Sequence, residues 1–102
     1  MKKVIGGKLY NCETAEVIGS WDNGLSVRDF EYEAETLFRN KNGVYFLLCE
    51  GGAKSTYAEQ EGNTSSNGWL IRPYTEQEAR RWAMKRLRYE VYAAIFGEVT
   101  EA

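Results

Sequence analysis

Two charged rows carry the chemistry that residue type and spacing allow in this sequence. Asp29, Glu31, Glu33 and Glu35 alternate with Phe30, Tyr32, Ala34 and Thr36, and Arg81, Lys85 and Arg88 recur at i, i+4 and i+7. On a pleated strand the four acids share one exposed face at intervals of about 7 Å, twice the rise per residue. That interval is comparable to the separation of neighbouring phosphates along a nucleic-acid strand, so the row is a candidate mimic of a phosphate backbone. The plainer alternative is a strand side that needs polar residues because it faces water. On a helix the three cations line one side, where they suit a phosphate, an acidic protein patch, or solubility alone.

The remaining chemistry is narrow. The chain has no histidine, which excludes Ser-His-Asp and Cys-His catalysis, histidine metal ligands and histidine bases. Two cysteines cannot form a four-cysteine zinc site. Gly51-Gly52-Ala53-Lys54-Ser55 lacks the spacing of a phosphate-binding loop. Glu50, with Glu59 and Glu61 downstream, is the one carboxylate group near a flexible loop, and a divalent-metal nuclease would have to use it. Ordinary solvation accounts for these acids better. No catalytic residue, metal ligand or cofactor is therefore expected. Cys49 closes an apolar run and reads as core. Cys12 lies in a turn-like stretch without a base partner in sequence, which disfavours a reactive thiol, and with no export signal the compartment is expected to be reducing and both cysteines free.

Charge is segregated although the net value is only −2. Between Glu13 and Glu35 lie seven acids and one cation, Arg28; between Arg80 and Arg88 lie five cations and no acid. Such a dipole points to a charged macromolecular partner and says little about fold.

The elements that must position these rows follow from periodicity. With 102 residues, 43% of them hydrophobic and 14% aromatic, the chain is expected to form one domain over residues 1–102. The longest apolar run, Val44 to Cys49, is too short to cross a bilayer, and the start lacks the apolar stretch of an export signal. A cytoplasmic chain without membrane contact is expected. Val4–Tyr10 and Ala15–Trp21 read as two strands of an N-terminal hairpin. Residues 29–39 alternate as a half-buried strand, Asn40-Lys41-Asn42-Gly43 turns, and residues 44–50 return as a buried strand. Residues 51–68 are small and polar, and read as a loop with no core of its own. Trp69–Pro73 is a short edge strand. Thr75 and Glu78 form a capping box for a helix whose inward stripe is Ala79, Trp82, Ala83, Arg86 and Leu87, running on as one helix or breaking into two near Tyr89 or Glu90. The fold class is α+β: an antiparallel sheet of four to five strands followed by one or two C-terminal helices on one face.

Four segments carry a family resemblance. They are Val4-Ile5-Gly6-Gly7-Lys8-Leu9-Tyr10-Asn11-Cys12-Glu13-Thr14-Ala15, the hairpin from Glu35 to Leu47, Glu50-Gly51-Gly52-Ala53, and Ile95-Phe96-Gly97-Glu98-Val99. Together they resemble a group of small phage and mobile-element proteins of Gram-positive bacteria that includes type II-A anti-CRISPR proteins. The resemblance implies an inhibitor, not an enzyme, that binds the RNA-guided effector nuclease of a bacterial host in its cytoplasm. Effectors of this kind hold guide and target in positively charged channels. The acidic row (Asp29, Glu31, Glu33, Glu35) is then the expected contact, blocking guide loading or DNA binding. The basic helix (Arg81, Lys85, Arg88) is the second expected contact, with the effector or with the guide RNA. On this reading, reversing Glu31, Glu33 and Glu35 to lysine abolishes inhibition and leaves the fold intact. A nucleic-acid-binding module built on the basic helix and exposed aromatics such as Trp69 is the competing class, disfavoured by the net negative charge. The metal-dependent guide-RNA nuclease is the third.

Overall fold

The computed structural model describes all 102 residues. Lys2–Ile5 (β1) pairs antiparallel with Lys8–Asn11 (β2). Gly6 and Gly7 turn the chain between them at φ 58° and 79°, a left-handed pair that residues with a Cβ resist. The expected strand from Val4 to Tyr10 is thus folded back on itself. Its expected partner, Ala15–Trp21, joins a different sheet.

Six more strands follow: Glu16–Asp22 (β3), Glu33–Arg39 (β4), Tyr45–Gly51 (β5), Glu59–Glu61 (β6), Thr64–Ser66 (β7) and Gly68–Tyr74 (β8). The main sheet is antiparallel with order β3-β4-β5-β8, and β6 and β7 form a separate small hairpin. Residues 51–68 are therefore more structured than a plain loop, whereas β8, with Pro73, does lie at the sheet edge. Helices Glu76–Arg86 (α1) and Tyr89–Phe96 (α2) close the chain. The α+β class, the four-stranded antiparallel sheet and the two C-terminal helices all agree with the sequence.

The helices form where the local signals place them. The Thr75 hydroxyl accepts from the Glu78 N–H, and the Glu78 carboxylate accepts from the Thr75 N–H, satisfying two orphan donors of the first turn. Leu87 and Arg88 are extended and break the helix one or two residues before the expected point. Gly97 ends α2 at φ 95°. No helix is long and apolar enough to cross a membrane.

Both faces of the sheet are covered at its centre. Tyr45, Leu47 and Cys49 of β5 turn toward the helices and pack with Leu37, Ala79, Trp82 and Ala83. The alternate residues Phe46 and Leu48 turn the other way and pack with Phe38 and Ile71 beneath Ile5 and Tyr10 of the β1–β2 hairpin. The Phe46 ring stacks on Phe38 at 5.3 Å and meets the edge of Tyr10 at 5.5 Å. The acid-bearing side of β4 is therefore the helix-facing side, which the sequence pattern assigns to solvent.

Candidate functional site

The acidic row does not form. β4 begins at Glu33, and residues 23–32 double back as a turn-rich loop in place of the strand expected from Asp29. Side chains capture the backbone there before a ladder can. The Asp22 carboxylate accepts from the Gly24 N–H, the Asn23 side-chain oxygen from the Glu33 N–H, and the Asp29 carboxylate from the Glu31 N–H at 2.8 Å. The Asn23 amide in turn donates to the Glu31 carbonyl. The loop arches over Gly52, where any Cβ would collide with the carbonyl oxygens of Asp29 and Phe30. The Gly52 and Lys54 amides donate to the carbonyls of Tyr32 and Phe30.

Each acid then meets a different fate. Asp29 and Glu31 are exposed on the loop. The Glu33 carboxylate accepts from the Thr56 N–H at 2.8 Å. Glu35 is drawn into the helix–sheet interface, with only 12% of its side chain exposed. There it accepts from the Trp82 indole N–H at 2.9 Å, from the Arg86 guanidinium at 3.2 Å and from the Tyr57 hydroxyl at 3.1 Å. The Arg86 guanidinium also lies over the Trp21 ring, 3.6 Å from its centroid. Glu33 and Glu35 hold the molecule together, and the spaced row of four carboxylates facing solvent is corrected to two exposed acids on a loop. The proposed triple reversal to lysine cannot preserve the fold, because it would place an ammonium beside Arg86.

One sequence signal pointed to this network. Arg86 falls on the inward stripe of α1, and a cation there requires a buried acid. Which acid was not legible, since Glu35 lies 51 residues away. Around the network the protons are held. Burial, then the Cys49 thiol and Glu35, push the Tyr57 phenol well above its ordinary value. Burial likewise raises the Cys49 thiol, partly offset by the neighbouring Tyr57 hydroxyl and the Arg72 charge. Cys12 is raised by burial, partly offset by the N-terminal ammonium. Neither cysteine has the depressed value of a nucleophilic thiolate.

The basic row is realised only in part: Arg81 and Lys85 share one side of α1, whereas Arg88 lies beyond its end in extended backbone. Arg81, Lys85 and Arg88 are exposed, and no carboxylate lies within 4.0 Å of any of them. Arg81 and Lys85 flank a cleft of about 260 Å³ whose other walls include Tyr74, Trp82 and the Arg86–Glu35 pair. Arg88 stands apart at the N-cap of α2. The carboxylates considered for a nuclease are not brought together. Glu50 is half-buried on β5, Glu59 and Glu61 are exposed on β6, and no three acidic or cysteine side chains converge as a metal cage.

Two surface features are new. The loop 23–32 turns Leu25, Val27 and Phe30 outward, the last two 67% and 61% exposed. Beside it a cleft of about 280 Å³ has Gly51 and Gly52 in its lining and is flanked by Val27, Tyr32, Glu50 and Trp69. Comparison with protein-family models, with curated proteins and with solved structures found nothing that matches this chain.

Proposed function

We propose that the chain acts by binding, as an inhibitor of a type II-A RNA-guided effector nuclease, and that residues 23–32 make the contact. One observation carries the choice of surface: a single loop presents three exposed apolar side chains, Leu25, Val27 and Phe30, beside the exposed carboxylates of Asp29 and Glu31, neither of which is in a salt bridge. Apolar anchors that leave water supply affinity, and rim charges speed encounter with an oppositely charged surface. The family resemblance of the sequence supplies the partner, whose guide and target channels are cationic. Occupying such a channel blocks guide loading or DNA binding by competition, without turnover. The acids act here as part of a mixed patch and not as a spaced replica of a phosphate backbone.

Pull-down with purified effector tests this. Capture is expected with the guide-free effector alone where guide loading is blocked, and with the guide-loaded one where DNA binding is blocked. Combining Phe30→Ala with Glu31→Lys is expected to weaken capture by about tenfold or more, with an unchanged melting temperature because both side chains face solvent. If neither form of the effector is captured, or the double variant is captured as well as the parent, the reading fails.

The free cations Arg81, Lys85 and Arg88 favour a second reading, a module that binds single-stranded nucleic acid. It predicts a gel shift with RNA whose affinity falls as salt rises, with a logarithmic slope of about −2 for three phosphate contacts. No shift, or one indifferent to salt, removes it.

A further inference from the structure

The main sheet carries the same cross-strand pair twice, once on each face. Trp21 of β3 stands opposite Glu35 of β4 on the helix face. Trp69 of β8 stands opposite Glu50 of β5 on the other face. Directly opposed residues have Cβ atoms about 5 Å apart, so each pair sets an indole beside a carboxylate. On the helix face that pairing is filled by an arginine: the Arg86 guanidinium lies over Trp21 and donates to Glu35. On the second face the pairing is open. Glu50 is half-buried, and no cation of the chain, its amino terminus included, lies within 4.0 Å of it. Trp69 is 36% exposed.

We infer that the cleft between Trp69 and Tyr32 receives an arginine side chain from a protein partner, with Glu50 as its counter-ion. The cleft has the parts this needs. Trp69 and Tyr32 supply aromatic surface for a planar guanidinium, and Glu50 supplies a half-buried acceptor. Gly51 and Gly52 line one side through their backbone, and Met1 also lines the cleft, with its amino group more than 4.0 Å from the Glu50 carboxylate. Its volume of about 280 Å³ equals roughly nine waters, more than the seven heavy atoms of an arginine side chain require. Arginine is chosen over lysine because a guanidinium can stack and donate along its edge at once, as Arg86 does on the opposite face. Val27 joins the cleft to the exposed loop. An arginine inserted here would thus belong to the same interface as Phe30 and Glu31. The inference rests on the protein-binding reading for the origin of the arginine, whereas the cleft can be tested without the effector.

The test is titration of the full chain with N-acetyl-arginine amide, followed by amide and indole N–H resonances in a ¹⁵N–¹H correlation spectrum. A saturable shift is expected at the Trp69 indole and the Gly51 and Gly52 amides, with the Trp21 and Trp82 indoles unmoved. N-acetyl-citrulline amide, of the same shape without charge, is expected to bind at least about tenfold more weakly, and Glu50→Gln to weaken the arginine probe by a similar factor. Glu50→Gln has no ion pair to lose, so its spectrum without probe should match the parent. Equal response to citrulline, shifts spread over the surface, or no saturation would overturn the site. Failure of the effector pull-down with a positive titration would reject the effector and leave the site standing.

Discussion

Glu35→Ala should lower the melting temperature by on the order of 10–20 °C. The substitution removes one carboxylate and leaves three donors without an acceptor: the Trp82 indole N–H, the Tyr57 hydroxyl and the Arg86 guanidinium. The Arg86 side chain is only 20% exposed, so its charge cannot be fully rehydrated without moving the helix. Breaking a buried ion pair by removing one partner costs about 3 kcal/mol or more, and each kilocalorie corresponds to about 4–8 °C in a domain of this size. Glu35→Gln keeps one acceptor oxygen, which Trp82 can use, and turns its amide NH2 toward Tyr57, whose hydroxyl can accept in place of donating; a smaller loss of about 1–2 kcal/mol is expected. Thermal unfolding followed by circular dichroism separates the two. A change of under 2 °C for alanine would mean that the network is not what clamps α1 to the sheet.

Phe46→Ala is the second large effect, and it probes the other face. Phe46 is fully buried on the central strand, stacked on Phe38 and met edge-on by Tyr10. Truncating a buried phenylalanine costs about 3–5 kcal/mol through lost transfer energy and the cavity left behind. Tyr10 belongs to β2, and β1–β2 is a two-stranded hairpin of a kind that is marginal by itself. The cavity therefore loosens the hairpin as well as the core. Chemical denaturation should show the loss, and hydrogen exchange should show faster opening of the β1 and β2 amides than of α1. Phe46→Leu, closer in volume, should cost far less. If alanine shifts the denaturation midpoint only slightly, or β1 and β2 stay as protected as before, the hairpin does not depend on this face.

The two perturbations fall on opposite sides of one sheet, and the candidate surfaces divide with them. Glu33 and Glu35 serve the fold, so the binding proposal passes to Asp29, Glu31 and the apolar side chains between and beside them. Arg81 and Lys85 keep the exposure that their helical spacing implies, and Arg88, past the end of α1, is exposed as well. The carboxylate that matters in the new cleft is Glu50, which in sequence stood out only as a weak nuclease candidate.

Signals that act within a few residues were legible in the chain itself. The Thr75–Glu78 box, the turn at Asn40 to Gly43, the buried β5 run and the edge position of Pro73 each depend on backbone geometry within one turn or one strand. These were enough for the α+β class and for two helices after an antiparallel sheet. Strand alternation, however, states only that two faces differ. Which face is buried depends on what arrives to cover it, and here the covers come from residues 1–11 on one side and 76–96 on the other. Competition between side chain–backbone bonds and the ladder around Asp22, Asn23 and Asp29 shortened the strand by four residues, from its expected start at Asp29 to Glu33. The pairing of Glu35 with Arg86 spans 51 residues. Local chemistry set the elements; only their packing decided which charges meet water and which meet each other, because desolvation is a property of the assembled interface and not of any segment within it.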